Sequence, residues 1–557
     1  MQRSLMSELS PANLRQTGLP GRASAFIKRA MKCLLSLLAA ASMASAADSR
    51  PNIVFIFSDD HSPTAIGAYE RWLKSVNPTP NIDKLAAQGM LFRRSYCTNS
   101  ICGPVRAVIE TGKHSHLNGF RQNGDQFNWD QPTFAKQLQK AGYQTVLYGK
   151  YHLEGKPQGY DDWAVLPGQG LYYNPDFMTA AGKVTKQGYC TDLVTDMAVD
   201  WLKSKRDTSK PFLLRVQHKA PHRNWMPALR HLGAYDDVLI PEPPTLFMDH
   251  RSQASPSRHQ ELEVDRHMDL NYDLFVDLTA DFNQPPSQAT QDRSAWMNMK
   301  RMTPAQLQAW RAYYGPLDAA FHQAQPTGEA LVRWKHQRYL RNYLACVKGV
   351  DESVATLMKT LEELDLDENT IVVYASDQGF YLGDRGWYDK RWMYENSLEM
   401  PLIVKWPGVT QPGSRNDDLV QNLDYAPTFL ELAGVPVPTD MQGRSLVPLL
   451  KGERPKDWRD AIYYHYFEYP SVHMVARQRG VRTDRFKLIH FYQFGEWEFY
   501  DLDADPQELR NQYDNPVYAG EVAKLRQRLE ELRVQYADDS DIAEMPDDWK
   551  VKVRQGR

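Results

Sequence analysis

The sequence predicts an α/β protein: a large, mostly parallel sheet flanked by helices, with a smaller antiparallel sheet towards the C-terminus. Three observations predict it. Apolar runs bounded by polar residues, such as Asn52–Ser58 (NIVFIFS), suit strands buried on both faces. Helical segments recur between such runs, the alternation of a parallel sheet. Short aromatic strand candidates gather after about Leu446, where that alternation stops.

Along the chain, the first strand is followed by a helical pattern over Thr133–Gly142, closed by its glycine, and by a strand at Gln144–Gly149. A helix over Asp192–Lys205 leads to a strand at Phe212–Val216. A long helix near Tyr339–Leu364 leads to strands at Thr370–Ala375 and Leu402–Lys405. Ala228–Thr327, rich in Pro, Asp, His and Met with weak periodicity, reads as an insertion between strands. In the tail, strands are expected at Ala461–Tyr469, Gly480–Arg485, Lys487–Tyr492 and Trp497–Leu502, then an amphipathic helix at Glu521–Tyr536. The expected units are an export segment (1–46), a main domain (47–445, insertion 228–327) and a C-terminal subdomain (446–557).

Composition narrows the function. The 557 residues are 42% hydrophobic and 24% charged, ordinary for a globular chain. With 66 Lys+Arg against 69 Asp+Glu, no basic excess exists for nucleic acid. No apolar run of about 18 residues occurs, so no stable membrane insertion is expected. Met31-Lys32, the apolar stretch Cys33–Met43 and Ala44-Ser45-Ala46 read as a secretory signal cleaved after Ala46, with Met31 as an alternative start to Met1. Export to the periplasm or medium follows. Residues 1–46 carry a net +5, so removing them takes the chain from −3 to −8. Of five cysteines, Cys97, Cys190 and Cys346 remain once Cys33 is cleaved and Cys102 is assigned to chemistry, enough for at most one disulfide.

Polar residues cluster where strands end, and α/β sheets place their sites beyond the carboxyl ends of strands. Asp59-Asp60-His61 follows the first strand and Asp377-Gln378-Gly379 follows Thr370–Ala375. Two such groups at one sheet edge can converge on a hard cation, and oxygen-only ligation favours Ca²⁺ or Mg²⁺ over zinc.

Between them lies Cys102-Gly103-Pro104-Val105-Arg106, with Thr111-Gly112 downstream. This C-x-P-x-R…T-G pattern resembles the signature of formylglycine-dependent (type I) sulfatases of the alkaline phosphatase superfamily. Gly149-Lys150-Tyr151-His152-Leu153, Ala220-Pro221-His222, and the block Gly383-Asp384-Arg385-Gly386 through Lys390, Tyr394-Glu395 and Met400–Val404 resemble further family segments, in the family's order. The resemblance implies that a maturation enzyme converts Cys102 to formylglycine, whose hydrate is the nucleophile. It implies a calcium ion, with Mg²⁺ second, held by Asp59, Asp60, Asp377, Gln378 and residue 102. Arg106 and Lys113 are candidate cations beside residue 102. Lys150 and Lys390 would neutralise sulfate oxygens, His152 would orient or deprotonate the hydrate, and His222 would protonate the leaving oxygen. Val105, Glu110 and Arg385 depart from the usual pattern. Ala254-Ser255-Pro256-Ser257-Arg258 imitates the signature without a nucleophilic atom and reads as a loop.

Leu166–Phe177, His218–Pro227 and Ile462–Ile489 resemble bacterial N-acetylglucosamine-6-sulfatases, which implies a sulfated saccharide substrate from glycosaminoglycans or mucins. Arg385 and His473 are then candidates to hold sugar hydroxyls. Three alternatives stay open: another sulfate position (uronate 2-O-sulfate or N-sulfate), a phosphodiesterase or phosphonate hydrolase of the same superfamily, and a catalytically silent glycan-binding protein.

Overall fold

A computed structural model of the chain describes residues 50–76, 78–278 and 294–540. The expected export segment, residues 1–46, lies outside the described residues. Ten strands form the main sheet, in the order Ser414–Asn416, Met90–Phe92, Leu402–Lys405, Thr370–Ser376, Asn52–Ser58, Phe212–Gln217, Gln144–Lys150, Asp162–Leu166, Asp176–Thr179, Gly182–Thr185. The five strands from Thr370–Ser376 to Asp162–Leu166 run parallel. Leu402–Lys405 reverses direction at one side and a hairpin closes the other.

The first strand shows why both faces must be covered. Ile53, Phe55 and Phe57 point into one apolar core and Val54 and Ile56 into the other, all fully buried. The 35-residue helix Glu329–Glu363 lies on the second face, against the helix Cys190–Asp200. It also fixes the turn after the first strand: Tyr343 Oη donates to Asp60 O (2.7 Å) and accepts from Ser62 N (3.0 Å).

Ala461–Tyr466, Gln478–Thr483, Phe486–Phe491 and Glu496–Asp501 form the expected antiparallel sheet, with the helix Ala519–Gln535 packed on one face. Two expectations need correction. The insertion is not irregular throughout: Pro304–Ala324 is a 21-residue helix started by a capping box between Thr303 and Gln306. Pro316 lies inside this helix, where buried Trp310 and Tyr314 pack on Phe275, and that packing outweighs the local cost of the proline. The Ser255–Arg258 segment is a helical turn with Pro256 and Ser257 buried, not a loop. Its Ser257 Oγ donates to Glu498, and the amides of Ala254 and Ser255 donate to Glu498 and Glu496.

Candidate active site

The site is assembled at the carboxyl ends of the central strands. The turn after Asn52–Ser58 supplies Asp59 and Asp60, and that after Thr370–Ser376 supplies Asp377 and Gln378. The helix Cys102–Thr111 points its N-terminus at them. Asp59, Asp60, Cys102 and Asp377 each offer one ligand atom, all within 4.8 Å of one another, and all four residues are buried. Asp59, Cys102 and His222 converge equally closely.

Arg106, one turn along the helix from Cys102, is 1% exposed. Its Nη1 donates to Lys150 O and Gln217 Oε1, both at 2.8 Å, and its Nη2 to Asp377 Oδ2 at 3.1 Å. Lys150 Nζ lies on Asp59 and on Gln169 Oε1, and Lys390 Nζ on both oxygens of Asp60 (2.5 and 2.7 Å). Gly149 lets Lys150 reach this position: at φ +105° a Cβ would lie 1.8 Å from Gln217 O of the neighbouring strand.

Charge sorts the group. Burial alone would raise Asp59, but Lys150 and Arg106 hold its carboxyl well below the usual range. Burial outweighs Lys390 at Asp60 and pushes it up to about 6. Burial and the adjacent Asp59 drive Asp377 well upward. Three buried carboxylates within contact distance cannot all be ionised without cationic help. Burial and Lys150 keep His152 and His222 neutral, far below the ordinary histidine value. His222 Nδ1 donates to Arg223 O (2.5 Å), which leaves Nε2 facing Asp60, 3.8 Å away.

The residues fit a divalent cation. The Asp59, Asp60 and Asp377 carboxylates converge there with residue 102, Gln378 donates its Nε2 to Asp60, and Asp59 Oδ1 and Gln378 Oε1 are buried without a hydrogen-bond partner.

Two candidates fall elsewhere. Lys113 lies past the far end of the Cys102 helix, about 15 Å of helix from residue 102, and pairs with Asp440. Arg385 is not open to a sugar. It is 1% exposed, its guanidinium stacks on Tyr394 (3.8 Å) and Trp387 (5.1 Å), and Nη1 donates to Gln507 O and Glu508 O. It joins the 383–395 segment to the tail. His473 does border the group: its Nε2 is 3.0 Å from Arg223 Nη1 and 3.4 Å from Asp389 Oδ2, while Nδ1 donates to Glu261 O. Asp389 and Arg391 flank Lys390, and Arg391 reaches Glu468 at 3.3 Å. Asp60, His152, Asp389, Arg391 and His473 all have left-handed backbone (φ 57–91°), costly for non-glycine residues and concentrated here.

Sequence reasoning missed Gln169, Gln217, Arg223, Asp389, Arg391 and Glu468. Gln217 ends a strand and Asp389 abuts Lys390, which were usable signals; Glu468 carried none. The Glu110 departure also has a reason: it is buried against Arg215 and Tyr160 Oη (3.0 Å).

Residues 51–435 match the sulfatase family, and residues 383–535 match the C-terminal domain of N-sulphoglucosamine sulphohydrolase. The chain belongs to the sulfatase family. It is similar to an N-acetylglucosamine-6-O-sulfatase of Bacteroides thetaiotaomicron, 44% identical over 517 residues and 91% of each chain. A human N-acetylglucosamine-6-sulfatase is 27% identical over 451 residues, covering 76% of this sulfatase and 68% of the human one. A solved structure described as BT4656 in complex with its substrate D-glucosamine-2-N,6-O-disulfate superposes with a TM-score of 0.84 at 44% identity, covering 88% of this chain and 99% of that one. This sulfatase therefore has the alkaline phosphatase-like fold, and its family implies a formylglycine and a divalent metal. Among the described residues no helix is long and apolar enough to cross a membrane, and Cys97, Cys102, Cys190 and Cys346 are all free thiols.

Proposed function

We propose that this sulfatase removes the 6-O-sulfate of N-acetylglucosamine at the non-reducing end of sulfated glycans, with Cys102 matured to formylglycine by a dedicated enzyme and Ca²⁺ as the metal. The observation that carries the reading is 44% identity, over 91% of both chains, to an N-acetylglucosamine-6-O-sulfatase. The signal-like segment 1–46 supports export, and the sheet boundary supports a catalytic unit over 47–445 followed by a subdomain over 446–557.

When present, formylglycine supplies a hydrated aldehyde as nucleophile, and a divalent cation lowers the cost of negative charge on its oxygens. Asp59, Asp60, Asp377 and Gln378 would hold that cation. The chain's own residues do the rest. Arg106 fixes the helix that carries residue 102 and adds a buried positive charge beside it. Lys150 and Lys390 are two buried ammoniums able to face sulfate oxygens, worth far more there than in water. His152 would orient or deprotonate the group at 102. His222 presents Nε2, the nitrogen able to carry a proton to the leaving oxygen; a bound sulfate offsets the lysine charges that keep its ring neutral. His473, Asp389, Arg391 and Arg223 offer donors and acceptors for ring hydroxyls.

Of the competing readings, a two-zinc phosphoesterase would need an Asp/His ligand set; among the described residues the convergent groups are rich in carboxylates with one histidine. A phosphonate hydrolase at 20% identity shares the fold alone. The test is sulfate release from 2-O-, 3-O-, 4-O- and 6-O-sulfated saccharides and N-sulfated glucosamine. Preference for N-acetylglucosamine-6-sulfate over galactose-6-sulfate is expected, because a site built to pair with a hydroxyl rejects its epimer. Preference for a uronate 2-O-sulfate or an N-sulfate overturns the assignment.

A further inference from the structure

The C-terminal sheet ends beside the site in a cluster of arginines that, among the described residues, has no ion-pair partner. Register pairs His465 with Arg479 and Arg479 with His490, so strand alternation sets Tyr463, His465, Arg479, Val481, Leu488 and His490 on one face. The helix Ala519–Gln535 covers the Tyr463–Val481–Leu488 half of that face. Within the described residues that face is followed as far as Asp538, whose carboxylate takes His465 Nδ1 (2.6 Å) and the Tyr463 hydroxyl. Beyond that point lie Phe467, Arg477 and Tyr492. Arg477 Nε donates to Phe467 O (2.7 Å), the Arg479 guanidinium sits 5.0 Å from the Tyr492 ring, and that of Arg121 sits 5.7 Å from the Phe467 ring.

None of Arg121, Arg477 and Arg479 forms an ion pair with a described residue. The nearest acids are committed elsewhere. Asp125 accepts the main-chain amides of Arg121 and Gln122, and Glu468 takes Arg391, Ser471 and the amide of Asn123. Three guanidiniums without an ion-pair partner among the described residues, in a chain of net −3, are a local feature, not a reflection of overall charge. Arg121 is exposed and Arg477 and Arg479 are half-buried, and aromatic rings back Arg121 and Arg479. The cluster also adjoins the reacting end of the Cys102 helix. Asn99 Nδ2 donates to Arg121 O (3.1 Å), and Gly103 N donates to Asn123 Oδ1 (3.1 Å), whose own amide reaches Glu468.

We infer that Arg121, Arg477 and Arg479 form a subsite for a second anionic group, a carboxylate or sulfate, on the sugar that follows the one being desulfated. The inference rests on the proposed saccharide substrate. It makes the enzyme a reader of acidic glycans rather than of isolated sulfated sugars.

The test uses full-length enzyme and three disaccharides that share a non-reducing 6-sulfated N-acetylglucosamine and differ in the next residue: a uronate, a sulfated hexose or a neutral hexose. Calorimetric affinity and sulfate release are measured for wild type, Arg477→Ala/Arg479→Ala and Arg479→Lys. The expected result is about fivefold or greater preference for an acidic neighbour, shrinking in high salt and lost in the double alanine variant. Arg479→Lys should retain most of it, and the monosaccharide should be handled as by wild type. Which acidic disaccharide binds more tightly separates carboxylate from sulfate as the ligand. Equal affinity of wild type for acidic and neutral disaccharides overturns the inference, as does an equal loss on the monosaccharide in the double variant. Failure of the substrate assignment shows separately, as absent sulfate release, because affinity is read without turnover.

Discussion

Glu110 and Arg215 offer a sharp test of how the Cys102 helix is held. Arg106 and Glu110 lie four residues apart on that helix, about 6 Å of rise. Gln217 and Arg215 lie two residues apart on one strand, about 6.6 Å. The match lets Arg106 bond Gln217 while Glu110 pairs with Arg215, two polar rungs that fix the helix along the strand. Glu110 and Arg215 are each 1% exposed. Glu110→Ala leaves a buried guanidinium unpaired, so a loss of about 3–5 kcal/mol is expected. Replacing the pair with apolar residues, Glu110→Leu/Arg215→Leu, with Tyr160→Phe to avoid an orphaned hydroxyl, should recover most of that. Activity should not follow stability. With one rung gone the helix can slide, and displacements near 1 Å cost up to about 10²-fold, so the triple variant should lose about ten- to a hundredfold in kcat with little change in KM. Urea unfolding and sulfate release from N-acetylglucosamine-6-sulfate read the two quantities. A Glu110→Ala loss below about 1 kcal/mol would refute the buried-pair argument. A stable triple variant with full kcat would refute the positioning role.

Cys102→Ala should abolish turnover while leaving the unfolding midpoint near wild type, and mass spectrometry of the peptide spanning residue 102 should find the modified residue in active enzyme; an unmodified thiol in fully active protein contradicts the assignment. Chelation should remove activity that Ca²⁺ restores better than Zn²⁺, since the site donates oxygens; restoration by zinc alone would favour the phosphoesterase reading. Arg385→Ala should destabilise the joint to the tail by roughly 2 kcal/mol or more, without altering sugar preference; changed selectivity at unchanged stability would place its side chain nearer the substrate than the structure does. Stability should fall from pH 7 to pH 5. Burial pushes His218 down to about 3 and His336 and His465 to about 4, so each stays neutral when folded but takes a proton when unfolded below about 6.5. Asp60 and Asp351, each raised to about 6 by burial, and Asp377, driven well upward, oppose this, but His61 and His490, pushed down to about 3, and His250, to about 4, add to the histidine side; a urea midpoint that rises on acidification would contradict the balance.

What the sequence determined by itself was set by local rules. The apolar run Asn52–Ser58, the strand-end pairs Asp59-Asp60 and Asp377-Gln378, and the C-x-P-x-R segment each depend on neighbours in the chain, so period and order located strands, cluster and family together. The tail sheet was legible for the same reason, with aromatic residues marking three of its four strands. Tertiary structure decided the remainder. Arg385 and His473 look alike as isolated polar departures, yet one is sealed between Tyr394, Trp387 and two main-chain carbonyls while the other meets Arg223 and Asp389 across more than 80 residues. Lys113 is eleven residues from Cys102 in sequence, but helical rise carries it to the opposite end. The Pro304–Ala324 helix contains Pro316, whose local cost is outweighed by the burial of Trp310 and Tyr314. The Glu110–Arg215 pair, read as a departure in one place and unremarked in the other, becomes intelligible only when helix and strand are laid side by side. Burial and long-range pairing are properties of the folded chain, and no window along the sequence contains both partners.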